Sequence, residues 1–223
     1  METVAVLCSG GLDSAVMVAH QAVASDVLPV YVRSGLAWEA EELRLLGRLL
    51  ACPPYARAVH PLATLEVQVR DLYPPSHWAL RGTPPAYDTA DEEVYLPGRN
   101  VLLLSKAAVL CAMRGIGRIA VGPLAGNPFP DATPRFFEAM ARALSLGLDH
   151  PISVEAPFAR MRKEEVIRVG ARLAVPFELT LSCMNPAEGA HCGLCSKCRE
   201  RRDAFAAAGI ADPTEYAAPC PRG

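Results

Sequence analysis

Short apolar runs alternate along this chain with longer segments in which apolar residues recur every three or four positions. The runs lie at residues 4–7, 27–32, 117–122 and 152–156, and the periodic segments lie at residues 12–23, 39–50, 101–113, 136–146 and 163–173. Continuous apolar runs are typical of strands buried on both faces, and the longer period is typical of helices with one buried face. The pattern therefore predicts an α/β fold with a doubly wound parallel sheet, whose strands are joined by right-handed crossovers.

A proline-rich segment interrupts this pattern between residues 52 and 97, where eight prolines include three adjacent pairs. We expect a third strand at residues 56–60, followed by a long irregular excursion. Loops of this length are usually lids or binding loops when they are ordered. Three aromatic residues in the excursion either stack on a planar ligand or pack beneath the loop, and these are Trp78, Tyr87 and Tyr95.

The composition is that of a globular protein of 223 residues, with 51% hydrophobic and 21% charged residues. We expect an α/β domain over residues 1–180 and a small C-terminal module over residues 181–223. The net charge of −2 gives no general attraction to nucleic acid, so we expect no direct nucleic-acid partner. Neither a leader segment nor an apolar run of about 18 residues is evident, so we expect a cytoplasmic protein without a membrane partner.

A glycine-rich stretch stands between the first predicted strand and the first predicted helix. It comprises Ser9, Gly10, Gly11, Leu12, Asp13 and Ser14. Adjacent glycines let the backbone approach an anion, and the amides at a helix N-terminus bind phosphate. Asp13 would repel phosphate by itself, so its presence implies a bridging Mg²⁺. The alternative is an ordinary glycine turn with a serine or aspartate helix cap.

Later segments supply cations and polar groups at positions that suit a nucleotide. Gly98 and Arg99 precede a predicted helix, where a cation and backbone amides can meet an anion. Three cations surround the start of the last predicted helix, with Lys163 preferred as a phosphate ligand over Arg160 and Arg162. Solvated charges at helix ends are the alternative for all of these. A proline-broken loop after the strand at residues 117–122 adds Asn127, Asp131 and Thr133 at a carboxyl end.

Four cysteines near the C-terminus have the spacing of a metal site. They are Cys183, Cys192, Cys195 and Cys198. Two residues between cysteines let successive thiolates converge on one ion, and four thiolates without an open position suit a structural Zn²⁺. An iron–sulfur cluster is the alternative, because Cys220 precedes a proline as the last ligand of a ferredoxin does.

The glycine-rich stretch resembles the Ser-Gly-Gly-x-Asp-Ser signature of the PP-loop ATP pyrophosphatases. Together with residues 97–100, the cysteine set and residues 202–216, it makes the whole chain resemble the 7-cyano-7-deazaguanine synthase family. The resemblance implies an adenine nucleotide alpha hydrolase-like, Rossmann-like sheet with a small C-terminal zinc-binding module. It also implies a homodimer.

The function implied by the resemblance is an ATP-dependent carbon–nitrogen ligase of queuosine biosynthesis. Such an enzyme converts 7-carboxy-7-deazaguanine and ammonia to 7-cyano-7-deazaguanine through an adenylated carboxylate, with ATP, Mg²⁺ and Zn²⁺. We expect the loop from Ser9 to Ser14 to bind ATP, and the four cysteines to bind the zinc. The residues expected to act in catalysis are Asp13, Ser14, Arg99 and Lys163.

Two segments depart from the pattern of that family. Residues 127–134 form a shorter loop that lacks the arginine usual in the family. Residues 33–38 differ from the amino-acid sequence that the family usually has after the second strand. Three alternatives therefore stay open. They are a paralogue that adenylates another carboxylate, a tRNA-thiolating PP-loop enzyme with an iron–sulfur cluster, and a non-catalytic nucleotide sensor.

Overall fold

The computed structural model describes residues 2–56, 58–187 and 189–220, which form an α/β structure around a parallel sheet. The strands are Thr3–Leu7 (β1), Asp26–Arg33 (β2), Ala63–Glu66 (β3), Arg118–Ala120 (β4) and Ser153–Glu155 (β5). They lie in the order β3-β2-β1-β4-β5, and every neighbouring pair is parallel. The strand order reverses direction at β1, so the predicted doubly wound parallel sheet is confirmed.

Helices cover both faces of the sheet. They are Leu12–Gln21 (α1), Glu39–Leu50 (α2), Trp78–Arg81 (α3), Arg99–Met113 (α4), Pro134–Leu148 (α5), Lys163–Arg172 (α6) and Ser196–Ala208 (α7). The five helices that periodicity predicts are all present, with ends within a few residues of the prediction. Among the helices of the described residues, none is long and apolar enough to cross a membrane.

The central strand β1 shows why both faces of the sheet are covered. Val4 and Val6 point into a core shared with α1 and α6, whereas Ala5 points into a core shared with α4 and α5. All three residues are fully buried. Alternate side chains of a strand point to opposite faces, so a continuous apolar run needs an apolar layer on each side. The carboxyl ends of β1 and β4 consequently open onto a crevice between the two helical layers.

The third strand lies later in the chain than its predicted position at residues 56–60. Within that range Val59 forms only an isolated bridge with Val27, and Arg57 lies outside the described residues. Pairing with β2 begins at Ala63, after Pro61. Proline has no amide hydrogen to donate to a ladder, which explains why the strand starts beyond it. The rest of residues 52–97 is largely irregular, as predicted, apart from α3 and a 3₁₀ turn at Asp91–Val94.

The C-terminal segment packs closely on the sheet domain. Helix α7 lies against α6, and its Phe205 meets Phe177 edge to face with ring centroids 5.3 Å apart. Arg201 on the same helix is fully buried and donates hydrogen bonds to Thr180 and to the carbonyl of Phe177, each of 2.8 Å. Residues 181–220 thus share buried contacts with the sheet domain, and their assignment to a separate module remains a prediction.

Candidate active site

The loop between β1 and α1 is shaped by its own serines and by one glycine. The Ser14 hydroxyl donates to the Gly11 carbonyl at 2.9 Å, and the Ser9 hydroxyl accepts from the Gly11 amide at 3.2 Å. Gly10 has φ +76°, and a Cβ there would lie 3.2 Å from the carbonyl oxygen of Glu42. The turn therefore needs glycine at this position.

The N-terminus of α1 is open to a ligand. No side chain among the described residues caps this helix, whose N-cap is Gly11. The structure therefore does not show the serine or aspartate cap that the alternative interpretation requires. First-turn amides that lack a protein partner, together with the helix dipole, favour an anion in front of the helix.

Two cavities meet at this loop. One, of about 260 Å³, lies over the carboxyl ends of β1, β2 and β4, and the other, of about 520 Å³, lies beyond the loop toward α7. Both are lined by Ser9, Gly11, Asp13, Arg99, Gly122, Asn127 and Phe129. Of the other loop residues, Ser14 lines the smaller cavity, Leu12 lines the larger one, and Gly10 lines neither.

Asp13 and Lys163 form an ion pair at the boundary between the cavities. Lys163 Nζ lies 3.3 Å from Asp13 Oδ2 and 2.5 Å from Glu200 Oε1. Burial alone would lower the pKa of Lys163, but the carboxylates of Asp13 and Glu200 outweigh it and raise that pKa above its usual range. Lys163 therefore stays a cation in the buried site.

The second carboxylate oxygen of Asp13 is the best candidate for a metal ligand. Oδ1 is buried, and no hydrogen bond reaches it from any residue that the structure describes. Burial raises the pKa of Asp13, an effect that Lys163 partly opposes. A buried carboxylate oxygen without a hydrogen bond is costly unless a ligand binds it. A hard oxygen donor beside an open cavity suits Mg²⁺, which binds one or two carboxylates and keeps waters and phosphate oxygens as further ligands.

Arg99 is the cation that both cavities share. Its Nε is buried and lacks a hydrogen-bond partner within the described part of the chain. The backbone amides at the start of α4 were predicted to bind an anionic ligand. For Asn100 this is wrong, because its amide donates to the Asp131 carboxylate at 3.0 Å. Asp131 thus caps α4, and Thr133 caps α5 by accepting from the Phe136 amide at 3.2 Å. The Arg99 side chain is therefore the group at this helix start that is placed to bind an anion.

Residues on β2 and α2 add a buried acid that the sequence pattern did not single out. The Tyr31 hydroxyl donates to Glu42 at 2.6 Å, and Glu42 lines the larger cavity. Burial raises the pKa of Glu42 to about 7, although the nearby Arg99 opposes this. Arg33 and Ser34, at the carboxyl end of β2, line neither of the two cavities. Arg33 is exposed, and the Ser34 amide donates to the Glu39 carboxylate in the β2–α2 loop.

The three aromatic residues of the irregular segment have different surroundings. Trp78 lines the larger cavity and stacks on Trp38, with ring centroids 5.7 Å apart and planes 10° from parallel. Tyr95 stacks on Phe129, and Tyr87 lies 3.2 Å from the Cys220 sulfur. Of the three, Trp78 is the residue placed to stack on a ligand.

The four predicted metal ligands converge on one point. The sulfurs of Cys183, Cys192, Cys195 and Cys198 all lie within 4.8 Å of one another. Tetrahedral Zn²⁺ with bonds of about 2.3 Å would place its sulfurs about 3.8 Å apart. Backbone amides already donate to two of the sulfurs, as from Asn185 to Cys183 at 3.3 Å. The cluster therefore suits a closed metal site such as zinc.

Several site residues escaped the sequence analysis. They are Trp38, Glu42, Asp91, Lys197 and Glu200, all of which line the larger cavity. Lys197 stands inside the cysteine motif and Glu200 follows the motif by two residues. The two are three positions apart, so that one helical face carries both. That spacing was the signal in the sequence that could have identified the two residues, but the interpretation of this segment rested on its cysteines alone.

These features define a class of protein: a parallel α/β sheet whose glycine-rich loop separates two cavities, with a cluster of four cysteines whose chain neighbours line the larger cavity. The family model described as queuosine biosynthesis protein QueC matches residues 3–209. The chain belongs to this family, and the predicted resemblance is confirmed.

Relatives in the family carry the name 7-cyano-7-deazaguanine synthase. One from Methanoculleus marisnigri is 33% identical over 97% of this chain and 99% of its own length. Another from Methanopyrus kandleri is 36% identical over 97% of this chain and 99% of its own length. A third, from Anaeromyxobacter dehalogenans, is 40% identical over 55% of this chain and 56% of its own length. A solved structure described as a predicted subunit of tRNA methyltransferase from Methanocaldococcus jannaschii matches over 97% of this chain and 92% of its own, with a TM-score of 0.48 at 10% identity.

Proposed function

We propose that this protein is a 7-cyano-7-deazaguanine synthase, an ATP-dependent ligase that turns 7-carboxy-7-deazaguanine and ammonia into the nitrile. Membership of the family, whose members carry that name, supports the reaction. The structural observation that carries the proposal is the buried Asp13 carboxylate. One of its oxygens is paired with Lys163 and the other has no partner within the described residues, at the wall common to both cavities.

The residues on the two sides of the loop support the binding of a nucleotide. The smaller cavity suits the nucleoside, because apolar residues from three strand ends line it, such as Val30, Val32 and Val121. The triphosphate then lies against the loop, facing the first-turn amides of α1. Lys163 and Arg99 supply positive charge on either side. Asp13 would hold Mg²⁺, which neutralises charge on the departing pyrophosphate when bound.

The chemistry needs activation of a poor electrophile. A carboxylate oxygen of the acid attacks the α-phosphorus of ATP, the bond to pyrophosphate breaks, and an acyl adenylate forms. Ammonia attacks the carbonyl carbon, AMP leaves with the carbon–oxygen bond electrons, and an amide forms after proton loss. A second ATP adenylates the amide oxygen, and loss of AMP and two protons gives the nitrile.

The protein's part in this reaction is binding and electrostatic stabilisation. No step requires a nucleophilic side chain, because ATP supplies the activating group. The Lys163 ammonium lies 3.3 Å from Asp13, so a fixed cation stands where negative charge grows on the leaving pyrophosphate. Such preorganised charges typically supply a factor of about 10² to 10³ in kcat.

The cysteine cluster has a separate task under this proposal. Cys183, Cys192, Cys195 and Cys198 would hold Zn²⁺ without leaving an open coordination position. A closed site of this kind stabilises the fold instead of binding substrate. Cys220, whose position before a proline favours the iron–sulfur alternative, lies against Tyr87.

Product analysis tests the proposal. Purified protein given 7-carboxy-7-deazaguanine, ammonium, ATP and Mg²⁺ should release AMP and pyrophosphate, and mass spectrometry should detect the nitrile. Asp13→Asn should lower kcat by at least about a hundredfold. Asp203→Asn, which changes an exposed carboxylate outside both cavities, should leave kcat unchanged.

Other outcomes favour the alternatives. Formation of ADP in place of AMP would refute the mechanism. AMP formation with a different acid, and none with this one, would indicate a paralogue. Bound iron in place of zinc would support the thiolating enzyme. The homodimer implied by the family also remains a proposal, which analytical ultracentrifugation tests.

A further inference from the structure

The larger cavity has features that the nucleotide does not use. Its volume of about 520 Å³ falls in the usual range for small-molecule sites. It shares the loop wall with the smaller cavity, so a ligand inside it would meet the triphosphate across the loop. Its far side carries the Trp38–Trp78 pair and Lys197, none of which lines the nucleotide cavity.

We infer that this cavity is the acceptor site, where Trp78 stacks on a planar heteroaromatic ring and Lys197 binds the carboxylate of that ring. The inference rests on the proposed function, because it takes the acceptor to be an acid that is adenylated. The larger cavity is then the binding site of the acid, and Trp78 and Lys197 are the residues that recognise it.

The aromatic pair provides a flat and rigid wall. Trp38 is 6% exposed and is packed in a buried cluster with Leu45 and Leu96. Trp78 stacks on it at 5.7 Å and is only partly buried, so Trp78 presents the accessible ring. Indole faces bind planar heterocycles through offset stacking. A ligand ring laid against Trp78 would extend a stack whose inner member, Trp38, is packed in the buried cluster.

The cationic side of the cavity lies next to the reacting centre. Lys163 and Lys197 bind the two oxygens of the same Glu200 carboxylate, at 2.5 Å and 2.7 Å. The two ammonium groups are therefore close neighbours, and Lys163 also reaches Asp13 in the phosphate loop. A carboxylate held by Lys197 would consequently lie near the triphosphate, as adenylation requires.

Lys197 has the capacity to bind a further anion. Among the described residues its other carboxylate partner is Asp91, at 3.5 Å, so that two of its three N–H donors suffice for the carboxylates that the structure places around it. The third donor remains for a ligand. The charges around it come from α7 and from the 3₁₀ turn that carries Asp91, and Lys163 and Arg162 add positive charge from the start of α6. An added carboxylate thus has cations on two sides.

Tryptophan fluorescence gives a direct test, because the chain has two tryptophans and both line this cavity. Titration of 7-carboxy-7-deazaguanine into the intact zinc-loaded protein, without ATP, should quench the emission with saturation. Lys197→Met should weaken this binding about tenfold, and Lys197→Arg should restore most of it. Lys106→Met, on the exposed face of α4, should bind like the wild type.

Steady-state kinetics separates this site from nucleotide binding. Lys197→Met and Trp78→Leu should each raise the KM for the acid about tenfold while the KM for ATP changes less than twofold. Thermal melting checks that both variants fold. Unchanged acid affinity and unchanged acid KM in both folded variants would overturn the inference.

The test distinguishes failure of this site from failure of the proposed function. If the protein makes the nitrile and the variants keep the wild-type KM for the acid, the acceptor lies elsewhere and the function stands. If no AMP forms with this acid, the function fails. The quenching titration then still decides whether the cavity binds a planar carboxylate.

Discussion

The backbone amide of Leu181 donates a hydrogen bond of 2.9 Å to the carbonyl of Gly10. This bond joins the segment that leads to Cys183 to the loop that faces the two cavities. On the other side of the cysteine cluster, α7 carries Glu200 to Lys163. The four-cysteine cluster and the loop from Ser9 to Ser14 are therefore linked through both flanks of the cluster.

Removal of the metal should weaken nucleotide binding as well as the fold. Cys195→Ser removes one of the four thiolates, and we expect a lower melting temperature and at least about tenfold weaker binding of a non-hydrolysable ATP analogue, because Leu181 and Glu200 lose their anchorage. Metal analysis and calorimetry measure the two effects. Cys52→Ser, outside the cluster, is the matched control. Unchanged nucleotide affinity in metal-free protein would contradict the link.

Loss of the Lys163 cation should affect catalysis and stability together. Lys163→Met should lower kcat by about two orders of magnitude, because the leaving pyrophosphate loses a fixed positive charge. It should also destabilise the protein, since the buried Asp13 carboxylate loses its ion pair, whereas Glu200 keeps Lys197. Single-turnover kinetics and urea unfolding measure these effects. A kcat within threefold of the wild type would exclude this role.

Gly10 should be sensitive to a methyl group for two separable reasons. Gly10→Ala places a side chain at φ +76° and 3.2 Å from the Glu42 carbonyl oxygen. Gly115→Ala has a similar strain, at φ +67°, but its Cβ would have open space among the described residues. We expect Gly115→Ala to cost about 1 kcal/mol and Gly10→Ala to cost more and to lose ATP affinity. Equal losses in urea unfolding would show that crowding at the loop contributes nothing.

Two helical glycines should respond to alanine with opposite signs. A Cβ on Gly170 in α6 would lie 2.6 Å from side-chain atoms of Phe177 and Val16, so Gly170→Ala should destabilise by about 1–3 kcal/mol. A Cβ on Gly147 in α5 would meet no described atom within 4 Å. Gly147→Ala should therefore stabilise by up to about 1 kcal/mol through helix propensity. Melting of both variants gives the signs, and a stable Gly170→Ala protein would be inconsistent with this packing.

Stability should fall as pH rises toward neutrality because of Glu42. Burial raises its pKa from 4.5 to about 7, so between these values the folded state holds a proton that the unfolded state has lost. The contribution of Glu42 to the free energy of unfolding is fully present below about pH 4.5 and is lost by about pH 7. The loss is on the order of 3 kcal/mol. Urea unfolding at pH 5 and pH 8 measures the loss. Glu42→Gln should reduce the difference, whereas Glu178→Gln, at an exposed carboxylate, should retain it. An unchanged pH dependence in Glu42→Gln would rule out this assignment.

Much of the fold could be predicted because its signals are local. The apolar run of β1, the glycines after it and the period of α1 lie within 21 residues, and each depends on the residues beside it. The strand expected at residues 56–60 was misplaced for a local reason too, because an apolar run does not show that Pro61 delays pairing with β2. The spacing of Cys192, Cys195 and Cys198 was a local signal too, since cysteines with two residues between them converge through the curvature of the backbone.

The sequence by itself determined the doubly wound class of the sheet, the glycine-rich loop between β1 and α1 and the cysteine motif, because residues close together in the chain encode each of them. Only the tertiary structure decided which side chains meet at the loop. The Asp13–Lys163 pair joins α1 to α6, and the Trp38–Trp78 stack joins the start of α2 to α3. Contacts of this kind depend on how helices pack on the sheet, and no periodicity or spacing reports that packing. The two cavities exist for the same reason, as spaces between elements distant in sequence.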